Sequence, residues 1–321
     1  MNILVVRTDK LGDFITALPT CKVLKQYDPK NRIIVCVAPL NLSLAKACDF
    51  IDEVIVDDSK SSVFELSRRL TALHIDVSIT LFSNTRVALA QFLAGIKKRI
   101  APATKIAQIF YTDRIVQRRS EVKMAEFEYN LELTKTLFPE IDLHFEKPLL
   151  KFDDAKEIYE SFSQEHSITK EIIAFHPGFG GSSDANWTLD EYTELAKTAL
   201  KTNKYQIVMT FGPDEQKLYD YCKEKLAGTD VIFYISRDGL VNFAKLLSGF
   251  KLFISTSTGT YHLAALVGTP TITFFAESLF ASSARWKSVS DESIQKHYMI
   301  PQDEGKKAEM FEAIKLLLFL L

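Results

Sequence analysis

The sequence predicts an α/β protein of two similar domains, and three observations carry that expectation. Short β-branched runs alternate with helical patterns through the first half, as in a mostly parallel sheet with helices on both faces. The pattern loosens near Lys147–Asp154, where Lys147-Pro148-Leu149-Leu150 gives way to charged helix-like sequence, and then restarts. At 321 residues the chain is long for one hydrophobic core and comfortable for two. One domain is therefore expected at residues 1–152 and a second at 153–321, with a cleft between them as the natural site.

In the first domain, Asn2–Arg7, Arg32–Ala38, Glu53–Val56 and Ile75–Phe82 read as strands. Asp13–Gln26, Asn41–Cys48 and Ser61–Leu73 lie between them and read as helices. In the second domain the strands are Ile172–His176, Gln206–Phe211, Val231–Tyr234, Lys251–Ser255 and Thr271–Phe275. Helices Leu189–Thr202, Asp214–Leu226, Leu240–Leu247 and Tyr261–Val267 separate them, with Thr188 placed to cap the first. The apolar tail Ile314–Leu321 is too short to span a bilayer. It reads as the end of a packed helix, about 303–321, with shallow membrane contact as the alternative.

Composition narrows the function classes. With 47% hydrophobic and 25% charged residues the chain is neither disordered nor fibrous. A net charge of −2 argues against a nucleic-acid partner. The charge is unevenly spread, with 21 Lys+Arg against 18 Asp+Glu in residues 1–150 and a balance of −5 beyond. Nine basic residues crowd Arg86–Lys123, opposed only by Asp113 and Glu121; this is either a solvated face or an anion-binding surface. Cys21, Cys36, Cys48 and Cys222 sit mostly in apolar stretches without CxxC spacing, as reduced core residues of a cytoplasmic protein do. The N-terminus runs straight into a strand, so no signal peptide is expected. The six histidines show no HxH or HxxxH spacing, so no metal is expected either.

Three segments at strand ends could carry chemistry, since ligands of such sheets gather at the carboxyl ends of strands. RTDKLGD (Arg7–Asp13) lacks both GxGxxG and GxxxxGK[ST], which removes a nicotinamide site and a P-loop. It places Asp13 at a strand-to-helix turn, as a general base or simply as a helix cap. A helix N-terminus favours the carboxylate anion, so Asp13 would be a weak base unless burial raised its pKa. HPGFGGSS (His176–Ser183) is either a flexible loop or a backbone that lets a pyrophosphate approach closely. ISTSTGTYHLAA (Ile254–Ala265) combines hydroxyls with the unpaired amides of a helix start, an anion site by local geometry. His262 there could donate to a phosphate or be a satisfied packing residue.

RTDKLGDFITALP, HPG…W, and STGTYHLAALVGTPTITFF followed by Ala284-Arg285-Trp286 together resemble the family 9 glycosyltransferases, the heptosyltransferases of bacterial lipopolysaccharide assembly. Their order spans nearly the whole chain. The resemblance implies the GT-B architecture of two Rossmann-like domains facing a cleft, with acceptor on the first domain and nucleotide sugar on the second. It also implies a terminal helix that packs back on the first domain, and inverting transfer without cofactor or obligatory metal. ADP-heptose is the favoured donor, an anionic glycolipid of the lipopolysaccharide core the acceptor, and peripheral contact with the inner membrane an accompanying expectation. Carried over by position, Asp13 is the base. Gly178, Gly180, Gly181, Ser182, Ser257, Thr258, Gly259, Thr260 and His262 fall on the donor side. Lys10, Gly12, Arg86, Arg99 and Arg114 fall on the acceptor side.

Two positions depart from the family pattern. Ala185 stands where members often carry a phosphate-neutralising lysine, leaving Arg237 or Arg285 as substitutes; Ser257 stands where familiar members carry an aspartate that contacts the sugar. These departures keep three alternatives open: another nucleotide sugar, a sugar-nucleotide 2-epimerase, and a non-catalytic sugar-nucleotide-binding protein.

Overall fold

The computed structural model describes residues 1–178 and 186–321, in two compact units, Met1–Glu146 and Lys147–Leu321. The division falls slightly before the boundary expected from the sequence. In the first unit, β1 (Asn2–Arg7), β2 (Arg32–Val37), β3 (Glu53–Val56), β4 (Val77–Thr80), β5 (Lys98–Pro102) and β6 (Asp113–Ile115) form one sheet in the order β3-β2-β1-β4-β5-β6. The second unit holds β7 (Ile172–His176), β8 (Gln206–Phe211), β9 (Ile232–Ile235), β10 (Leu252–Thr256), β11 (Thr271–Ala276) and β12 (Gln295–Ile300), in the order β9-β8-β7-β10-β11-β12. The two orders are the same once the first strand of each unit is matched, and all the pairings are parallel.

The central strands read as continuous apolar runs because helices cover both faces of the sheet. Ile3–Val6 of β1 lie opposite Ile33–Cys36 on one side and Val77–Thr80 on the other, and all four are buried. The strands that sequence periodicity leaves out are β5, β6 and β12. β5 (KRIAP) opens on two cations and closes on proline, and β6 (DRI) has three residues, two of them charged. β12 (QKHYMI) is an edge strand with one buried residue. Pairing in the sheet overrides weak propensity at all three.

Helix starts follow their caps. Thr188 Oγ1 accepts from Glu191 N at 3.2 Å while Glu191 Oε2 accepts from Thr188 N at 2.6 Å, the reciprocal capping box that opens Leu189–Leu200. The terminal helix, Glu304–Leu320, begins at Asp303, whose Oδ1 accepts from Lys306 N at 2.9 Å. Its buried Phe311, Ile314 and Leu318 fill the core of the second unit. The physical reason is aromatic. The Trp187 ring lies 5.3 Å from Phe311 and 5.6 Å from Phe274, so the helix seals a wedge of rings over the sheet. No helix of the described residues is long and apolar enough to cross a membrane.

Candidate active site

In each sheet the strand order reverses between two neighbours, β1 and β4 in one unit and β7 and β10 in the other. The helices that follow such a pair diverge to opposite faces and leave a crevice at the strands' carboxyl ends. RTDKLGD follows β1, HPG follows β7 and STGT follows β10. All three chemistry-bearing segments therefore sit at a switch point of their own sheet.

At the first switch point the central group is Arg7, 3% exposed. Its guanidinium donates to Asp9 Oδ1 at 2.8 Å, Asp13 Oδ1 at 2.5 Å and Glu126 Oε1 at 3.2 Å. Burial opposes its charge, but the three carboxylates prevail and its pKa is raised. Glu126 Oε1 also accepts from Arg119 Nη1 at 2.5 Å, and Arg119 Nη1 reaches Asn130 Oδ1 at 3.2 Å. Asn130 Nδ2 donates to the Thr16 carbonyl at 3.1 Å, and Thr16 Oγ1 donates to the Asp13 carbonyl at 2.7 Å. The bonds close a ring from Asp13 through Arg7, Glu126, Arg119, Asn130 and Thr16 back to Asp13.

This ring separates the two readings of Asp13. The helix Leu11–Tyr27 starts two residues earlier than expected, with Lys10 as the cap residue and no side-chain cap bond. Asp13 lies inside the first turn, and its carboxylate is bound by Arg7 rather than used as the cap. Its side chain remains 20% exposed. Burial, opposed by Arg7 and reinforced by the charge of Asp13, pushes the neighbouring Asp9 up to about 6. Burial thus favours the protonated form of Asp9 within this cluster of charges.

The basic segment is less uniform than its composition suggests. Arg86 pairs with Asp57 and donates to the Ser61 carbonyl at 2.9 Å. Arg99 donates to the carbonyls of Phe110, at 2.6 Å, and Ile96, and its guanidinium lies 5.4 Å from the Phe92 ring. Both therefore already hold partners within the first unit. Arg114 is exposed on β6, with Nε 3.2 Å from the Tyr111 carbonyl. Lys10 is exposed and Gly12 half-buried at the start of the Leu11–Tyr27 helix.

The second switch point has a different character. Thr258 is the extended cap residue of the helix Gly259–Leu266 and makes no side-chain cap bond; its Oγ1 lies 2.8 Å from Thr260 Oγ1. The first intrahelical bond runs from His262 N to the Thr258 carbonyl, so the amides of Gly259, Thr260 and Tyr261 precede the ladder. Ser257 through Thr260 are half-buried. His262 is 3% exposed, its Nδ1 lies 3.1 Å from Ser288 Oγ, and burial pushes its pKa down to about 3. It is a neutral, hydrogen-bonded core residue and brings no positive charge to an anion.

Gly178 lies against the carboxylate end of a neighbouring side chain. A Cβ there would lie 2.1 Å from Glu215 Oε1, and Glu215 Oε2 accepts from Gly212 N at 2.7 Å. His176 is buried beside them, with Nδ1 3.1 Å from Thr210 Oγ1, and burial lowers its pKa. Gly180, Gly181, Ser182 and Ala185 lie outside the described residues. Arg237 is exposed and donates to Gln216 at 2.8 Å, whereas Arg285 is buried 3.8 Å from the Phe280 ring centroid. Among the described residues no group of three or more His, Cys, Asp or Glu could hold a metal ion.

Sequence reading missed Glu126 and Arg119 as partners of RTDKLGD. They lie more than a hundred residues downstream of Arg7, and no local pattern links them to it. Asp9 was visible inside the motif, and only its burial marks it out.

The sequence model of glycosyltransferase family 9 (heptosyltransferase) matches residues 63–310. A Haemophilus influenzae protein described as "Putative glycosyltransferase" is 37% identical over 320 residues, covering 96% of this chain and 91% of its own. The lipooligosaccharide heptosyltransferase 2 of Campylobacter jejuni is 23% identical over 87% of this chain and 82% of its own. The solved structure of the E. coli ADP-heptose lipopolysaccharide heptosyltransferase II superposes with a TM-score of 0.78 at 18% identity, covering 99% of both chains.

Proposed function

The chain belongs to glycosyltransferase family 9, the heptosyltransferase family, and we propose that it transfers heptose from ADP-heptose to an anionic core glycolipid with inversion at the anomeric carbon. The observation that carries the mechanism is the Asp13 carboxylate, which is fixed by Arg7, not used as a cap and partly open to solvent. In this reading the acceptor binds the first unit near Lys10, Gly12 and Arg114. Its hydroxyl attacks the anomeric carbon, the carbon–oxygen bond to the diphosphate breaks, and Asp13 takes the hydroxyl proton. Arg7 orients Asp13, and the ring through Glu126 and Arg119 holds Arg7.

The nucleotide sugar binds the second unit. The leading amides of the Gly259–Leu266 helix, with the Thr258 and Thr260 hydroxyls, receive the departing diphosphate; aligned N–H dipoles stabilise charge as it develops. Ser257 faces the sugar side of that junction and makes a neutral contact where an aspartate would make a charged one. His262 acts by fixing the junction through Ser288.

The test supplies ADP-, UDP- and GDP-sugars with and without a Kdo-containing acceptor, and follows nucleoside diphosphate release and product stereochemistry by NMR. Acceptor-dependent release from ADP-heptose with an inverted anomeric centre, lost in Asp13→Ala, is expected. Turnover of a nucleotide sugar without acceptor would instead identify an epimerase, and binding without turnover a non-catalytic protein.

A further inference from the structure

The helix Gly259–Leu266 starts without the usual fastening. A cap side chain normally binds one leading amide and fixes the first turn. Thr258 makes no such bond, and its hydroxyl lies 2.8 Å from that of Thr260. Something else must hold this turn.

Tyr261 and His262 both lie in it, both are buried, and both reach one residue. Tyr261 Oη accepts from Ser288 N at 2.9 Å, and His262 Nδ1 lies 3.1 Å from Ser288 Oγ. Ser288 is itself 1% exposed. Tyr261 Oη also donates to Gln295 Oε1 at 2.7 Å, with His297 Nε2 3.1 Å away. Gln295 Nε2 donates to the Ser290 carbonyl at 3.1 Å, so the segment after Ser288 is tied back to β12. Gln295 and His297 stand two residues apart on β12 and share a face, in register with Thr271 and Thr273 of β11. Below the hydroxyl, the Tyr261 ring packs with Ala265, Phe275 and Trp286. A phenol buried among apolar groups costs free energy unless its hydroxyl is bonded, and here it is bonded to a backbone amide and to β12.

Successive side chains leave a helix about 100° apart around its axis. Contacts at both Tyr261 and His262 therefore restrain the rotation of the turn as well as its tilt. We propose that Ser288, Tyr261 and Gln295 are positioning residues for the leaving group. Their latch fixes the amides of Gly259, Thr260 and Tyr261 and leaves the Thr258 and Thr260 hydroxyls for a ligand. The proposal rests on the reading that this helix start receives the diphosphate. Donors fixed before charge develops stabilise it without having to reorganise.

The experiment compares wild type with Tyr261→Phe, Ser288→Ala and the double variant, each below its own unfolding midpoint. ADP affinity is read by titration calorimetry, and kcat and acceptor KM by steady-state kinetics. Tyr261→Phe keeps the ring and removes only the hydroxyl, and should lower kcat about fivefold. The double variant releases both contacts and should lower kcat about thirtyfold and weaken ADP about tenfold, with acceptor KM unchanged. A double variant with a lower unfolding midpoint but wild-type kcat and ADP affinity overturns the proposal, since the network would then be structural only. A loss confined to acceptor KM overturns it as well. If wild type binds no nucleoside diphosphate, the donor reading fails and the latch with it; if wild type binds ADP and the variants match it throughout, the latch alone fails.

Discussion

The two units share one strand order and one kind of switch point, yet they fill it with opposite electrostatics. The first gathers two guanidinium groups and three carboxylates around Arg7 and leaves Asp13 partly open. The second places hydroxyls and leading helix amides at the crevice, and its two nearby histidines are buried and driven neutral. The fold supplies the crevice in both cases and leaves its chemistry to a handful of residues. In the proposed reaction the first crevice would take up a proton and the second would receive the diphosphate on oriented donors.

The largest effect expected from disturbing this contrast is at Arg7. Arg7→Ala removes one of the two guanidinium groups on the buried Glu126 and the tether of Asp13, and should destabilise the first unit by about 2–4 kcal/mol in urea unfolding. A loss below about 1 kcal/mol would show that the ring is not structural. Next is Asp9. Its pKa of about 6 lies above the usual 3.8, so the folded state holds that proton more tightly than the unfolded chain does. The stability this contributes is full below about pH 4 and is lost as pH rises through 6. Wild type should therefore lose about 2–3 kcal/mol relative to Asp9→Asn between pH 4 and pH 7.5, and a constant difference would contradict the shift.

Gly178→Ala forces a Cβ onto the Glu215 carboxylate. The carboxylate end of Glu215 must swing away and give up its bond to Gly212 N, so we expect a loss of about 1 kcal/mol or less from the second unit, resolved as a shift of its own transition. The smallest effect is a null result. Because His262 stays neutral above about pH 3, ADP affinity should show no step near pH 6.5 in titration calorimetry. Such a step, abolished by His262→Asn, would restore the histidine as a phosphate donor.

The fold was legible where burial is symmetric. β1, β7 and β8 were read to the residue, because a strand covered on both faces must be apolar throughout. Among the edge strands β3 was read to the residue and β9 within one, whereas β6 and β12 were missed, since they take their conformation from a neighbour's hydrogen bonds rather than from their own side chains. In the site, Asp13 and the Thr258–Thr260 junction were legible because strand-to-helix turns are marked locally. Glu126 and Arg119 were not, because only the folded chain brings them to Arg7. Nor can a count of cations tell that Arg86 and Arg99 are already bound to a carboxylate and to carbonyls.

The central claim, that the first unit holds the base and the second the leaving group, is tested most directly by splitting catalysis from donor binding in Asp13→Asn. This variant keeps the size of the side chain and removes its basicity. We predict a fall in kcat of about 10²–10⁴ with ADP affinity unchanged. A variant that keeps wild-type kcat, or whose loss lies in donor affinity alone, would contradict the account.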